Sequence, residues 1–186
     1  SAKSFGEFEF WFASIKVAAI IVFLFLGGLY ILGLWPGVSA SVSNLTAHGG
    51  FAPHGIVPIL TGAVAATGFY FGAEIVTIAA AETAEPEKAV AKATSSVITR
   101  VLVFYVGSVF VVVCLVPWDS IGMKTPYVSA LNVIGIKAAA EIMNAVILTA
   151  VLSALNSGLY ASSRMLFALT RRGDAPSAVS KLSRNG

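Results

Sequence analysis

One carboxylate, that of Glu74, interrupts an otherwise uncharged apolar run that extends from Ile56 to Ala81. A run of this length can cross a bilayer as a helix, which requires about 20 apolar residues. A charge near the middle of a membrane costs at least about 2.5 kcal/mol, so it is expected to face a partner or a water-filled path rather than lipid. Surroundings of low polarity favour the neutral form of a carboxyl. We therefore expect Glu74 to bind and release protons, as a coupling or gating residue of a transporter would.

Gly68 and Gly72 flank three aromatic residues just before this carboxylate. Broken helices at membrane depth expose backbone groups to a ligand, and glycine permits such a break. The alternative explanation is that these glycines only allow helices to pack closely. Because aromatic rings and a carboxylate accompany them, we favour a binding segment, whose predicted substrate contacts are Phe69, Tyr70, Phe71, Gly72, Ala73 and Glu74. Glu82, two turns further on nearly the same face, is a second candidate gate, although a glutamate near the interface is more often simply solvated.

Lys16 is the other candidate for proton coupling. It follows Trp11 by five residues, so it lies about 7–8 Å deeper along a helix. One interpretation is that its side chain bends back to the headgroups, as long basic side chains do near membrane surfaces. The other is that it faces neighbouring helices and carries a proton or replaces a bound cation. The sequence leaves both interpretations open.

A polar stripe at helical spacing occupies the last apolar stretch and consists of Ser153, Asn156, Ser157 and Tyr160. Hydrogen bonding between helices explains such a stripe as well as a substrate or ion path does. We favour packing at this point.

Transmembrane helices must position all of these residues. The chain is 57% hydrophobic and 11% charged, which leaves too few charges to cover the surface of a soluble domain. A spanning segment must satisfy its backbone internally, and this favours helices. The predicted fold class is all-α, a polytopic membrane protein in one domain, with spans at about 10–34, 56–81, 101–117 and 138–169 and a basic cytoplasmic tail at 170–186.

The basic residues predict the topology. No Lys or Arg occurs from Val17 to Glu87, whereas several follow the second span and the fourth. Because positive residues stay in the cytoplasm, the loops 35–55 and 117–137 are predicted outside and the segment 82–100 inside. The net charge of +3 is thus a topology signal rather than a sign of nucleic-acid binding.

The sequence contains no phosphate-binding loop, no Ser-His-Asp grouping and no cluster with metal-ligand spacing. We therefore expect neither enzyme activity nor a metal or organic cofactor, and the only expected coupling ion is the proton. The chain begins without Met and ends just after a basic tail, so we expect it to be part of a larger polypeptide whose missing helices complete the path.

Four blocks of sequence resemble the amino acid permeases of the amino acid–polyamine–organocation superfamily. They are GEFEFWFASIKV, FGAEIVTIAAAETAEPEKAVAKAT, FYVGSVFVVVCLVPW and LNSGLYASSRMLFALTRRGDAP. The resemblance implies two inverted repeats of five helices plus two further helices, of which this chain would hold the fifth to the eighth. It also implies that the sixth helix is broken at Phe69–Glu74 and that Lys16 lies near the cation position of sodium-coupled relatives. The stretch linked with transport would contain Arg164, Arg171, Arg172 and Asp174.

The function expected from the residues and the resemblance is proton-coupled import of an amino acid by alternating access. General similarity within the family favours GABA (gamma-aminobutyrate) or a related amino acid as the substrate. The expected partners are that substrate, the lipid bilayer of the plasma membrane and the missing helices of the same polypeptide. The alternative is a membrane receptor that binds the amino acid without transporting it.

Overall fold

The computed structural model of this protein describes residues 2–68 and 85–176. All regular structure in these two ranges is helical, which confirms the predicted all-α class. The α-helices, numbered here in chain order, are α1 (Ala2–Ile31), α2 (Ile56–Thr67), α3 (Pro86–Arg100), α4 (Gly107–Leu115), α5 (Pro126–Ile134) and α6 (Ala139–Arg172). Two short 3₁₀ turns, Ser43–Leu45 and Ile121–Lys124, lie in the connections.

Three helical segments are long and apolar enough to cross a membrane. They are Gly6–Ile31, Glu87–Leu115 and Ala139–Arg172, while α2 is a shorter apolar helix in the described residues. Only 6 to 22% of their most apolar windows is buried inside the structure. The remaining apolar faces are therefore available to lipid and to further helices, as expected for a membrane protein.

A π-helical turn, Val101–Val106, joins α3 to α4 without a loop. The segment from Glu87 to Leu115 is consequently one helix of 29 residues. It starts at Pro86, a position in the first turn where the missing N–H of proline does no harm. The sequence predicted a span from about residue 101, and the structure extends this helix back to Pro86.

The chain divides into two compact units, one formed by residues 20–139 and the other by residues 1–19 with 140–186. In the first of these, the end of α1, α4 and α5 enclose an apolar core. Its buried side chains include Phe23, Val111, Leu115 and Leu131. The rings of Phe23 and Tyr127 meet edge to face with centroids 5.2 Å apart, and the Tyr127 hydroxyl donates to Ser108 Oγ at 3.2 Å.

Glycine allows α1 and α4 to approach each other closely. A Cβ atom added at Gly27 would overlap the side chain of Val111, and one added at Gly107 would lie 3.3 Å from Leu24 Cδ2. Small residues are the usual means by which membrane helices come together. A Cβ atom added at the adjacent Gly28 would meet nothing within 4 Å, so only Gly27 of this pair is required by packing.

The second unit contains the first half of α1 and almost all of α6. Helix α6 ends at Arg172, and the next residue, Gly173, has a φ of +85°, a left-handed conformation that favours glycine. The N–H of Asp174 donates to the carbonyl of Leu169 at 3.0 Å, which closes the last turn.

Candidate functional site

The predicted substrate-binding segment Phe69–Glu74 and the predicted gate Glu82 lie outside the described residues. Their roles therefore stay predictions. The described candidates are Lys16 in α1 and the group at the end of α6, namely Arg164, Arg171, Arg172 and Asp174.

The ammonium group of Lys16 is directed at α6. Its Nζ donates a hydrogen bond of 2.6 Å to Oγ of Ser153. Lys16 is partly buried, and Ser153 is 1% exposed. Of the two orientations that the sequence left open, the described structure has the one in which Lys16 contacts another helix.

The same serine hydroxyl also contacts a carboxylate. Ser153 Oγ donates to Glu9 Oε1 at 2.7 Å, and Asn156 Nδ2 donates to Glu9 Oε2 at 3.3 Å. We call Glu9, Lys16, Ser153 and Asn156 the α1–α6 cluster. It contains one positive and one negative side chain, and the neutral hydroxyl lies between them. A buried charge is tolerated when its partners supply such hydrogen bonds.

Helical periodicity explains why these four residues meet. Glu9 and Lys16 are seven residues apart, so they lie on one face of α1 about 10 Å apart along its axis. Ser153 and Asn156 are three residues apart and are neighbours on the surface of α6. Side chains in a helix lean toward its N-terminus, and the long lysine side chain can therefore reach back toward the level of Glu9.

Glu9 was not among the residues singled out from the sequence, because a carboxylate at the start of a span is more often simply solvated. The spacing of seven residues between Glu9 and Lys16 was the available signal. Two members of the polar stripe, Ser153 and Asn156, proved to be the partners of this charged pair.

The basic residues at the end of α6 have local partners. The guanidinium of Arg164 lies over the ring of Tyr160, 5.1 Å from its centroid, and that of Arg171 lies 5.9 Å from the centroid of Phe167. Arg171 and Arg172 occupy the last turn, where positive charge stabilises the negative end of the helix dipole. These contacts explain the helix terminus, and the link of this stretch with transport stays a prediction.

In the unit of residues 20–139, the two loops predicted outside contact each other. His48 Nδ1 and Asp119 Oδ2 are 3.1 Å apart, and Trp118 Nε1 donates to the carbonyl of His48 at 3.0 Å. Asn44 Nδ2 donates to the carbonyl of Cys114 at 2.9 Å. We call these contacts the loop cluster. Loops on one side of a membrane can meet in this way, and the side on which they lie stays a prediction.

A cavity of about 270 Å³ adjoins the loop cluster. Phe51, Pro53, Pro58, Ile59 and Trp118 supply much of its lining, and Asn44 and His54 are polar residues at its wall. The ring of His54 meets Trp118 edge to face, with centroids 5.2 Å apart. The largely apolar lining offers few groups that could hold a charged ligand. In the described ranges no group of three or more His, Cys, Asp or Glu residues could hold a metal ion.

Comparison with known proteins identifies related sequences over the whole length of the chain. The sequence model of the amino acid permease family matches residues 1–186. The chain is 53% identical to the gamma-aminobutyric acid permease of Bacillus subtilis (strain 168) and 48% identical to that of Escherichia coli (strain K12). It is 42% identical to a probable threonine/serine transporter of B. subtilis. These alignments cover 100% of the chain and 40 to 41% of the relatives, and no solved structure matches.

Proposed function

This chain belongs to the amino acid permease family, and from this premise we propose that the full permease is a secondary active transporter that imports GABA or a related amino acid. The observation that carries the proposal is the identity of about half of all residues, along the entire chain, with two relatives named gamma-aminobutyric acid permeases. The relative named for threonine and serine, at 42% identity, makes the substrate the first property to test.

The membrane setting follows from the family and the helices. The chain is part of a multi-pass membrane protein, and for bacterial permeases that membrane is the plasma membrane. Its relatives are named permeases and transporters, so it is a transporter rather than an enzyme. The chain spans about 40% of the length of these relatives, and the remaining helices are proposed to complete the substrate path.

We also propose that the import is coupled to protons through alternating access of two opposed bundles. Substrate would bind beside Phe69–Glu74, with Glu74 and Glu82 as coupling or gating residues. Lys16 would carry a proton in one state and release it in the other. The hydrogen bond from Lys16 to Ser153 supports this role, because it keeps a titratable group among helices rather than in bulk water.

Uptake by the full-length protein in proteoliposomes tests the proposal. A panel of labelled amino acids, each measured with and without a proton uncoupler, should show accumulation of GABA or a close relative that the uncoupler abolishes. Accumulation that persists with the uncoupler would refute proton coupling. Binding without counterflow exchange would indicate a receptor instead of a transporter.

A further inference from the structure

The hydroxyl of Ser153 has the geometry of a proton relay. It accepts a hydrogen bond of 2.6 Å from Lys16 Nζ and donates one of 2.7 Å to Glu9 Oε1. A hydroxyl has one donor proton and two acceptor lone pairs, so it can do both at once. Both distances are in the short range of hydrogen bonds that involve a charged group.

The surroundings keep this hydroxyl in place. Ser153 is 1% exposed, so its bonds to the two side chains face little competition from water. Asn156 donates to the second oxygen of Glu9 and so orients the carboxylate. Lys16 and Glu9 do not form a direct ion pair in the described structure. The hydroxyl of Ser153 is therefore the hydrogen-bonded link between the ammonium of Lys16 and the carboxylate of Glu9.

We propose that Glu9 is the acceptor of the Lys16 proton and that Ser153 relays it. This inference rests on the proposed proton coupling. In the forward step, one N–H bond of the Lys16 ammonium breaks as its proton passes to Ser153 Oγ. The O–H proton of Ser153 passes at the same time to Glu9 Oε1. The products are a neutral amine, an unchanged hydroxyl and a neutral carboxylic acid, so protons and charge balance.

The direction of this transfer fits import. Glu9 precedes Lys16 by two helical turns and lies nearer the end of α1 that the charge pattern predicts in the cytoplasm. A proton that leaves Lys16 Nζ for Glu9 Oε1 thus moves toward that side across two hydrogen bonds, of 2.6 and 2.7 Å. Release of the proton from Glu9 to cytoplasmic water and rotation of the Ser153 hydroxyl would reset the relay.

A static role for the same cluster makes a different prediction. If Glu9 only held α1 to α6, a neutral acceptor of the same shape would keep most of that contact. Glu9→Gln is such a change: its amide oxygen can still accept the bond from Ser153, its amide nitrogen gives up the longer bond from Asn156 Nδ2, and glutamine cannot take a proton. Glu7→Gln is the matched control, since Glu7 is an exposed carboxylate on the same helix two residues away.

The experiment compares two transport modes of the full-length protein in proteoliposomes. Accumulation driven by a proton gradient requires net proton release, whereas counterflow exchange does not. We expect Glu9→Gln to lose about 100-fold in gradient-driven accumulation, a typical effect of removing a positioned proton-transfer group, and to retain counterflow. Glu7→Gln should retain both. Loss of both modes in Glu9→Gln, or of neither, would overturn the relay.

Ser153 supplies a second test. Ser153→Ala should reproduce the loss of accumulation with exchange retained, and Ser153→Thr, which keeps a hydroxyl, should restore accumulation. Ser163→Ala is the control, because Ser163 is an exposed serine of α6 that bonds only to its own helix at Tyr160. Equal accumulation in Ser153→Ala and the wild type would refute the relay.

An infrared difference measurement reports the carboxyl directly. Addition of substrate to the wild type should change the bands of protonated carboxyl groups, and the component that belongs to Glu9 should be absent in Glu9→Gln. The same band in both proteins would contradict the assignment. If an uncoupler has no effect on the wild type, proton coupling itself fails and the relay with it, which separates this outcome from failure of Glu9 alone.

Discussion

The two halves of α1 make contacts of different chemistry. The first half carries Glu9 and Lys16 into a set of side-chain hydrogen bonds with α6. The second half carries Phe23 and Gly27 into apolar packing in the unit of residues 20–139. Apolar contacts need the right volume and no particular protonation state, whereas the α1–α6 cluster needs particular charges. We therefore expect the first half of α1 to take part in transport chemistry and the second half to contribute to the stability of the fold.

The loop cluster differs again from the α1–α6 cluster. Its contact between His48 and Asp119 is partly open to water, with side-chain exposures of 35% for His48 and 47% for Asp119. Its other bonds go to backbone carbonyls, which every loop offers. Water can replace such contacts, so we expect the loop cluster to tolerate substitution much better.

The largest effect is expected at Lys16. Lys16→Met removes the charge and the proton from the α1–α6 cluster but keeps a long apolar side chain of related shape. Gradient-driven uptake by the full-length protein should fall by about 100-fold or more. Ser14→Ala is a suitable control, because Ser14 Oγ bonds only to the Phe10 carbonyl of its own helix. Normal uptake by Lys16→Met would show that the first half of α1 takes no part in the transport chemistry.

A large loss of stability is expected at Gly27. Gly27→Leu would force a side chain into the space of Val111, and overpacking of this kind typically costs about 1–3 kcal/mol. The melting temperature of the purified protein should fall accordingly. Gly28→Leu provides the control, because a Cβ atom at Gly28 has open space. Equal melting temperatures of the two variants would show that the close approach of α1 and α4 is not required.

A moderate loss of stability is expected from a substitution of Tyr127. Tyr127→Phe keeps the edge-to-face contact with Phe23 but removes the hydrogen bond to Ser108. The expected cost is about 0.5–1.5 kcal/mol in the free energy of unfolding. Transport by the properly folded fraction should be unchanged. A change in the uncoupler sensitivity of transport would contradict the division of roles between the two halves of α1.

The smallest effect is expected at the loop cluster. Asp119→Asn removes the charge facing His48, and exposed ion pairs are worth only about 0–1 kcal/mol. Thermal melting at low and high salt should differ little between this variant and the wild type. A loss as large as that of Gly27→Leu would show that the loop cluster is a main support of its unit.

The sequence predicted the class of fold well because composition and hydropathy determine it. Apolar stretches of spanning length leave helices as the default, and all regular structure in the described ranges is helical. The orientation of Lys16 was not predictable in the same way. It depends on Ser153, a residue 137 positions away, and nothing local to Lys16 reports that partner.

Glu9 shows a second limit of sequence reasoning. A glutamate beside aromatic residues at the start of a span is typical of the membrane interface, so the local sequence gives no reason to expect partners on another helix. The spacing to Lys16 indicates a shared face of α1 but does not indicate which helix covers that face. The segment 69–74 is different, because its proposed role depends on residues outside the described ranges.

The π-helical turn at Val101–Val106 has a consequence for how the protein can change in evolution. Such a turn closes i→i+5 rather than i→i+4 hydrogen bonds, so it holds one more residue than an α turn over nearly the same rotation. Deletion of one residue there would leave an uninterrupted α-helix. The basic residues Lys88, Lys92 and Arg100 of α3 would keep their directions relative to α4. This turn is thus a place where the helix can gain or lose one residue without re-aiming its charged surface.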